Sequence, residues 1–273
     1  GFMALLMTRT DFYGLLFHSR MSPISPDLAK IGIGDQSIQT IIASLIGLDN
    51  SSIFISLIVP LLICAILLKY IFSSNTRLSN DNLLSGIVVG LVVTFAWLLT
   101  GGDLGQSWIE NNDFLDTPYP AVGVQSFTFI NPMGETLLFT GNIFDNFFLT
   151  FGVAALLSTI AGSFVYSIVS NNLRIEWFAN KHDFFRHIIG GILIGIGGVL
   201  SLGCTIGQGV SGVSTLAIGS VITLISIIFG ASLMMKIEYY RAVYDDSSFI
   251  ELLKNSLIDL RVLPETLRTL EKI

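Results

Sequence analysis

Long apolar runs, separated by short polar segments, dominate the hydrophobic pattern of the chain. Three of these runs, at residues 52–72, 83–100 and 147–170, approach the roughly 20 residues that a helix needs to cross the hydrocarbon core of a bilayer. Further apolar residues follow His187, and the last run extends from about Val213 to Met235. The pattern predicts an all-α fold, a polytopic integral membrane helix bundle.

One apolar segment, residues 31–48, differs from these runs because Gly32, Gly34, Asp35 and Gln36 interrupt it. A lipid-facing span of this length would carry few polar groups. The mixture therefore predicts an interfacial or re-entrant helix.

Composition supports the membrane assignment and excludes one class of partner. Of the 273 residues, 52% are hydrophobic and 12% charged, and the mean hydropathy is +0.73. In soluble domains about a quarter of the residues are charged. The net charge of -6 argues against nucleic acid, whose phosphates require Lys and Arg. Cys64 and Cys204 lie far apart, and no histidine has a second ligand at metal spacing, so we predict no disulfide, metal site or cofactor.

The distribution of cations sets the expected topology. Residues 101–146 contain acidic side chains but no Lys or Arg, so the positive-inside rule predicts an extracytoplasmic loop. Arg174, Lys181 and Arg186 follow the next apolar run and predict a cytoplasmic segment.

The same charges suggest the domain organisation. We expect a membrane transport domain over residues 1–236 and a cytoplasmic amphipathic tail over residues 237–273. Because the sequence starts at Gly1, we expect an N-terminal part to be missing. Two full spans around Cys204 would return the chain to the cytoplasm, whereas a half-helix followed by one span would not, and the sequence leaves both open.

Residues 190–220, GGILIGIGGVLSLGCTIGQGVSGVSTLAIGS, combine apolar flanks with a glycine-broken polar centre. Irregular backbone at membrane depth is tolerated only where it is buried in protein or lines a cavity, so the stretch predicts a solute site. Since no cation lies there, backbone N–H groups and the N-terminus of the following helix would have to meet an anion, and the Cys204 thiol suits a soft sulfur atom. The residues predicted to shape the break or donate hydrogen bonds are Gly203, Thr205, Gly207, Gln208, Gly209, Ser211 and Gly212.

A packing role explains the same residues without a ligand. Glycines spaced in this way let membrane helices approach closely. A lone buried cysteine often acts as a small hydrophobe, and this is our interpretation of Cys64 in LIVPLLICAILL. From the residues alone, both interpretations of Cys204 stay open.

The segment FFRHIIGGILIGIGGVLSLGCTIGQGVSGVSTLAIGS closely resembles the signature of the YeeE/YedE family of bacterial sulfur-compound transporters, GGxxxGxG followed by GCTxGQGxSG. The likeness covers most of residues 120–262 and includes SFTFINPMGETL and FGVAALLSTIAGSF. It implies a multi-pass protein of the bacterial inner membrane, built from two related halves, that passes thiosulfate or a similar species inward. It also implies that Cys204 contacts the ion and that a cytoplasmic sulfur-carrier protein is a partner.

The N-terminal half departs from this pattern. RTDFYGLLFHSR resembles the first-half motif, R-x-x-F-C, but Tyr13 stands where the family has cysteine. A relay of successive thiols would then be incomplete, although the Tyr13 hydroxyl could still donate a hydrogen bond to an anion. Alternatively, residues 1–20 are a packing segment, since Tyr and Arg are ordinary membrane-interface anchors.

Our leading hypothesis is therefore a lipid-embedded permease, not an enzyme, for a small sulfur-containing anion such as thiosulfate. An alternative is a thiol-based sulfur-relay protein that forms a persulfide on Cys204, but no Lys, Arg or His adjoins this residue to favour a thiolate. A second alternative is a non-transporting membrane subunit whose glycines only pack helices.

Overall fold

The structure, a computed structural model, is predominantly helical. It describes residues 1–9, 14, 15, 19, 22–24, 34–47, 53–73, 79–244 and 247–271. Its α-helices are α1 (Phe2–Arg9), α2 (Ile38–Ile46), α3 (Ile53–Ser73), α4 (Asn80–Gly101), α5 (Asp103–Asp113), α6 (Ile130–Gly141), α7 (Phe151–Val169), α8 (Lys181–Leu200), α9 (Ile218–Val243) and α10 (Phe249–Asp259).

Five of the described helices, α3, α4, α7, α8 and α9, are long and apolar enough to cross a membrane. They confirm the predicted polytopic all-α bundle. The hydrophobic pattern placed the first residues of two of these helices too early. α7 begins at Phe151 because the Thr150 side chain caps it by accepting the N–H of Val153, and α9 begins at Ile218 because Leu216 adopts a left-handed φ of 56°.

The shorter α2 occupies the segment expected to be interfacial or re-entrant. Its nine residues fall well short of the length needed to cross a bilayer. Ser37 caps it by accepting the N–H of Thr40, and Gly47 ends it with a φ of 74°, a conformation that glycine adopts without strain.

An antiparallel β-bridge between Ser37 and Ala217 joins the residue that caps α2 to the residues just before α9. Ile38 donates its N–H to the carbonyl of Leu216, and Ile218 donates to that of Gln36, both at 3.0 Å. In the sequences that follow this bridge, Ser37, Thr40 and Gly47 have the same spacing as Ser220, Thr223 and Gly230.

The predicted extracytoplasmic loop, residues 101–146, contains two helices, α5 and α6. α6 packs against α1, α7 and α8, so part of this region belongs to the helix bundle. Where α6 meets α7, a Cβ at Gly152 would lie only 2.5 Å from Cγ of Pro132. The side of the membrane on which the rest of the region lies stays a prediction.

The chain divides into two compact units, Gly1–Ser220 and Val221–Ile273. Within the second unit, Asp259 is 2% exposed and receives hydrogen bonds from Lys236, Tyr240 and Arg268. Burial alone would raise the pKa of the Asp259 carboxyl, but the hydrogen bonds, with that from Arg268 the strongest, outweigh it and lower the pKa below its usual range. These bonds hold α10 and the residues after it on α9.

Candidate functional site

The helix break predicted around Cys204 is present. α8 ends at Leu200, and a π-helical turn, Gly207–Gly212, precedes the start of α9. The turn that ends α8 is closed by a hydrogen bond of 2.8 Å from the N–H of Gly203 to the carbonyl of Gly198. Irregular backbone thus lies between two helices that are each long enough to span a membrane.

Leucines, rather than glycines, take the unusual backbone conformations at the two ends of the break. Leu202 and Leu216 both have a φ of 56°, whereas Gly203, Gly207 and Gly212 do not adopt left-handed φ values. These glycines instead permit close contacts. A Cβ at Gly207 would lie 2.7 Å from Oγ1 of Thr128.

Cys204 is half-buried at the start of the segment that leads into the π-helical turn. One side of it packs against a cluster formed by Ala4, Met7, Ile130 and Val199, so α1, α6 and α8 together support it. Its Sγ accepts the N–H of Gly207 at 3.4 Å, and its carbonyl accepts the N–H of Gln208 at 2.8 Å. The thiol is therefore held at the N-terminal end of the turn, where peptide N–H groups favour negative charge.

A segment without regular secondary structure, residues 125–129, lies beside the break. Ser211 donates a hydrogen bond of 2.7 Å to the carbonyl of Phe127, and Thr100 on α4 donates one of 2.6 Å to that of Gln125. Sequence reasoning did not single out Thr128 on this segment. The available signal was that SFTFINPMGETL fell within the family likeness.

The polar side chains that were predicted to meet the ion fall into two groups. Ser211 is buried and Gln208 is half-buried, and both use their side chains to bond the protein itself. Thr205 is exposed, and its hydroxyl makes no hydrogen bond to the described residues. Gly209 lies half-buried within the π-helical turn, and Tyr13 lies outside the described residues.

The stretch of chain that contains Cys204 is electrically neutral in its own side chains. No charged residue stands between His187 and Lys236 in the sequence, so charge on a solute would be met by backbone dipoles and neutral donors. Among the residues that the structure describes, no group of three His, Cys, Asp or Glu side chains is placed to hold a metal ion.

A cavity of about 570 Å³ lies between α4 and the end of the broken segment. Val210 and Ser214 line it on one side, and Val93 and Trp97 on the other. The indole N–H of Trp97 donates a hydrogen bond of 3.0 Å to Oγ of Ser214, which itself donates to the carbonyl of Ser211 at 2.6 Å. The cavity thus adjoins the break directly.

A multi-pass helical bundle with broken backbone between two spans is typical of membrane transport proteins. Within that class, the family model described as sulphur transport matches residues 45–233, which include α3, the Cys204 break and the first half of α9. The chain belongs to this family, the YeeE/YedE family. Searches of curated proteins and of solved structures gave no match.

Proposed function

We propose that this sulfur-compound transporter takes up a small sulfur-containing anion, most specifically thiosulfate, across the bacterial inner membrane along a path that passes Cys204. The observation that carries the proposal is the position of Cys204: a half-buried thiol at a backbone break between two spans, in a member of the sulphur-transport family. A packing residue would need neither the break nor the neighbouring cavity.

In this proposal the stretch around Cys204 meets an anion without a cationic side chain of its own. The peptide N–H groups after Cys204 supply partial positive charge, and the exposed Thr205 hydroxyl is a free donor. The thiol adds a weak donor and a polarizable surface that matches a sulfur atom of similar softness. Neutral donors of this kind bind an anion weakly enough to release it, as transport requires.

The remaining motif residues shape the site. Gly203, Gly207 and Gly212 permit close packing of the broken segment, Gly209 remains a proposed residue of the break, and Ser211 fixes the segment to residues 125–129. Tyr13 remains a proposed additional donor from the first half of the protein. The cavity beside Trp97 and Ser214 offers a route by which the ion reaches the break.

The proposal includes a handover on the cytoplasmic side. A sulfur-carrier protein would accept the imported sulfur there, while membrane lipid surrounds the exposed apolar faces of the five spans. In this scheme the protein moves the ion without changing it and is not an enzyme.

Growth on thiosulfate tests the proposal in cells that lack their own thiosulfate uptake. The unmodified protein should support growth with thiosulfate as sole sulfur source, whereas Cys204→Ala should not. Cys64→Ala is the matched control, because Cys64 is exposed on α3 away from any described polar site. Growth of Cys204→Ala at the parent rate would contradict the role of this thiol.

Mass spectrometry distinguishes transport from sulfur relay. If the Cys204 thiolate took the outer sulfur of thiosulfate, breaking its S–S bond and releasing sulfite, the residue would carry a persulfide and gain the mass of one sulfur atom. We expect an unmodified thiol. A third outcome, no flux in liposomes together with a stable membrane partner after purification, would favour a non-transporting subunit.

A further inference from the structure

The side-chain amide of Gln208 connects the two helices that flank the break. Its Nε2 donates a hydrogen bond of 2.8 Å to the carbonyl of Ser201, the residue that follows α8. Its Oε1 accepts a hydrogen bond of 2.6 Å from the hydroxyl of Ser220 in the first turn of α9. We call Ser201, Gln208 and Ser220, joined in this way, the Gln208 latch.

Two glycines of the motif make room for this latch. A Cβ at Gly203 would lie 3.0 Å from Cγ of Gln208 and 3.3 Å from its Nε2. A Cβ at Gly212 would overlap the hydroxyl of Ser220 and lie 3.0 Å from Oε1 of Gln208. The motif spacing, with glycine on both sides of Gln208, is thus the spacing that lets the amide reach both flanking helices.

Gln208 also bonds both sides of the turn that carries the Cys204 thiol. The backbone N–H of Gln208 donates to the carbonyl of Cys204 at 2.8 Å, while its side chain holds Ser201 on the other side of the same turn. Ser201 in addition donates its hydroxyl to the carbonyl of Gly203 at 2.7 Å. Both ends of the Cys204 turn therefore depend on one residue.

We propose that Gln208 is a positioning residue, which, together with Ser220, sets the orientation and accessibility of the Cys204 thiol instead of binding the transported ion. This assignment rests on the proposed function of Cys204. It differs from the expectation that Gln208 donates directly to the ion, because one amide hydrogen and the amide oxygen are already used within the protein. Ser220 is the partner that the sequence motif did not reveal.

The test measures the alkylation rate of Cys204 by N-ethylmaleimide in the purified 273-residue chain carrying Cys64→Ser, in which Cys204 is the remaining thiol of that sequence. The variants are Gln208→Ala, Ser220→Ala and the double variant. Ser226→Ala is the matched control, because the Ser226 hydroxyl bonds the carbonyl of Ile222 within α9. Thiosulfate uptake into liposomes is measured on the same preparations.

We expect Ser220→Ala to change the alkylation rate about fivefold, the factor set by one neutral hydrogen bond, and Gln208→Ala, which removes two, to change it at least as much. The double variant should change it no more than Gln208→Ala does, since both changes remove the same contact, and Ser226→Ala should match the parent. Uptake should fall together with the change in alkylation. Should Gln208→Ala fail to fold, Ser220→Ala carries the test, because it removes the contact from the opposite side.

Parent-like alkylation in a folded Ser220→Ala protein would overturn the latch, and so would additive effects in the double variant. The failure of the proposed function gives a different result. In that case Cys204→Ala would transport at the parent rate, while the latch variants would still change the alkylation of Cys204.

Discussion

Gly207 and Thr128 are in direct contact, and this contact joins the broken segment to residues 125–129 beside it. The Cα of Gly207 faces the Thr128 side chain so closely that a Cβ would lie 2.7 Å from Oγ1 and 3.1 Å from Cβ of Thr128. Real side chains do not approach so closely without displacement. The broken segment and residues 125–129, which both border the proposed ion path, are therefore held together through Gly207.

The first prediction is that Gly207→Ala destabilises the protein and reduces uptake. An added methyl in a packed site costs about 1–3 kcal/mol because neighbouring groups must move. Thermal unfolding in detergent and thiosulfate uptake measure the two effects. Gly197→Ala is the control, since a Cβ at this position on α8 meets nothing within 4 Å.

A second substitution, in residues 125–129, tests whether the contact with Thr128 causes the loss of stability. Thr128→Ala removes Oγ1 but keeps Cβ, so the double variant with Gly207→Ala should recover part of the lost stability. No recovery at all would show that the contact is not the cause of the loss.

The second prediction concerns two glycines on α7, Gly152 and Gly162. Gly152→Ala should lower the melting temperature because the new Cβ would lie 2.5 Å from Cγ of Pro132, a rigid ring. Gly162→Ala should have little effect, since nothing lies within 4 Å of its Cβ position. Equal melting temperatures for both variants would contradict the packing of α6 on α7.

These two glycines illustrate how far the sequence could lead. Long apolar runs located the spans, since hydrophobic length is a local property. The close contact of Gly152 and the open surroundings of Gly162 depend on α6, whose packing no local pattern indicates. Likewise the glycines around Cys204 indicated a break, but Leu202 and Leu216 take the left-handed conformations there.

The candidate site shows the same contrast between residues that are close in sequence and residues that only folding brings together. The site residues around Cys204 could be proposed from the sequence, because the donors and glycines lie within a few residues of each other. Thr128, Trp97 and Ser220 were not identified, since only the folded chain brings them to the broken segment. The different roles of Gln208 and Thr205 could not be predicted either, because the sequence pattern does not show which polar side chain is hydrogen-bonded within the protein.

The third prediction follows from the free hydroxyl of Thr205. Thr205→Val should raise the half-saturation concentration of thiosulfate uptake about tenfold, the effect of losing one hydrogen bond to a charged group. Thr205→Ser should remain close to the parent. Thr159→Val on α7 is the control, because the Thr159 hydroxyl bonds the carbonyl of Ala155 in its own helix. An unchanged half-saturation in Thr205→Val would remove Thr205 from the site.

The fourth prediction concerns the buried carboxylate of Asp259. Asp259→Asn should destabilise the tail by about 3 kcal/mol, because Lys236 and Arg268 would lose their common partner. Limited proteolysis of the tail at pH 7 measures this. Glu251→Gln, an exposed change on α10, is the control and should be digested at the parent rate.

The pH dependence of the parent protein gives an independent check. Because folding lowers the pKa of Asp259, its stabilisation is complete above the ordinary carboxyl pKa of about 4 and is lost as the pH falls through the lowered value. Protection of the tail should therefore be constant between pH 8 and 5 and decline only in stronger acid. A loss centred near pH 6 would point to a different group.

Above all, we propose that the transported ion passes Cys204. The most direct measurement is uptake of sulfur-labelled thiosulfate into liposomes that contain the purified protein, compared among the parent, Cys64→Ala and Cys204→Ala. We predict that Cys64→Ala transports at the parent rate and that Cys204→Ala, although folded, loses nearly all uptake. Uptake by Cys204→Ala at the parent rate would contradict the claim.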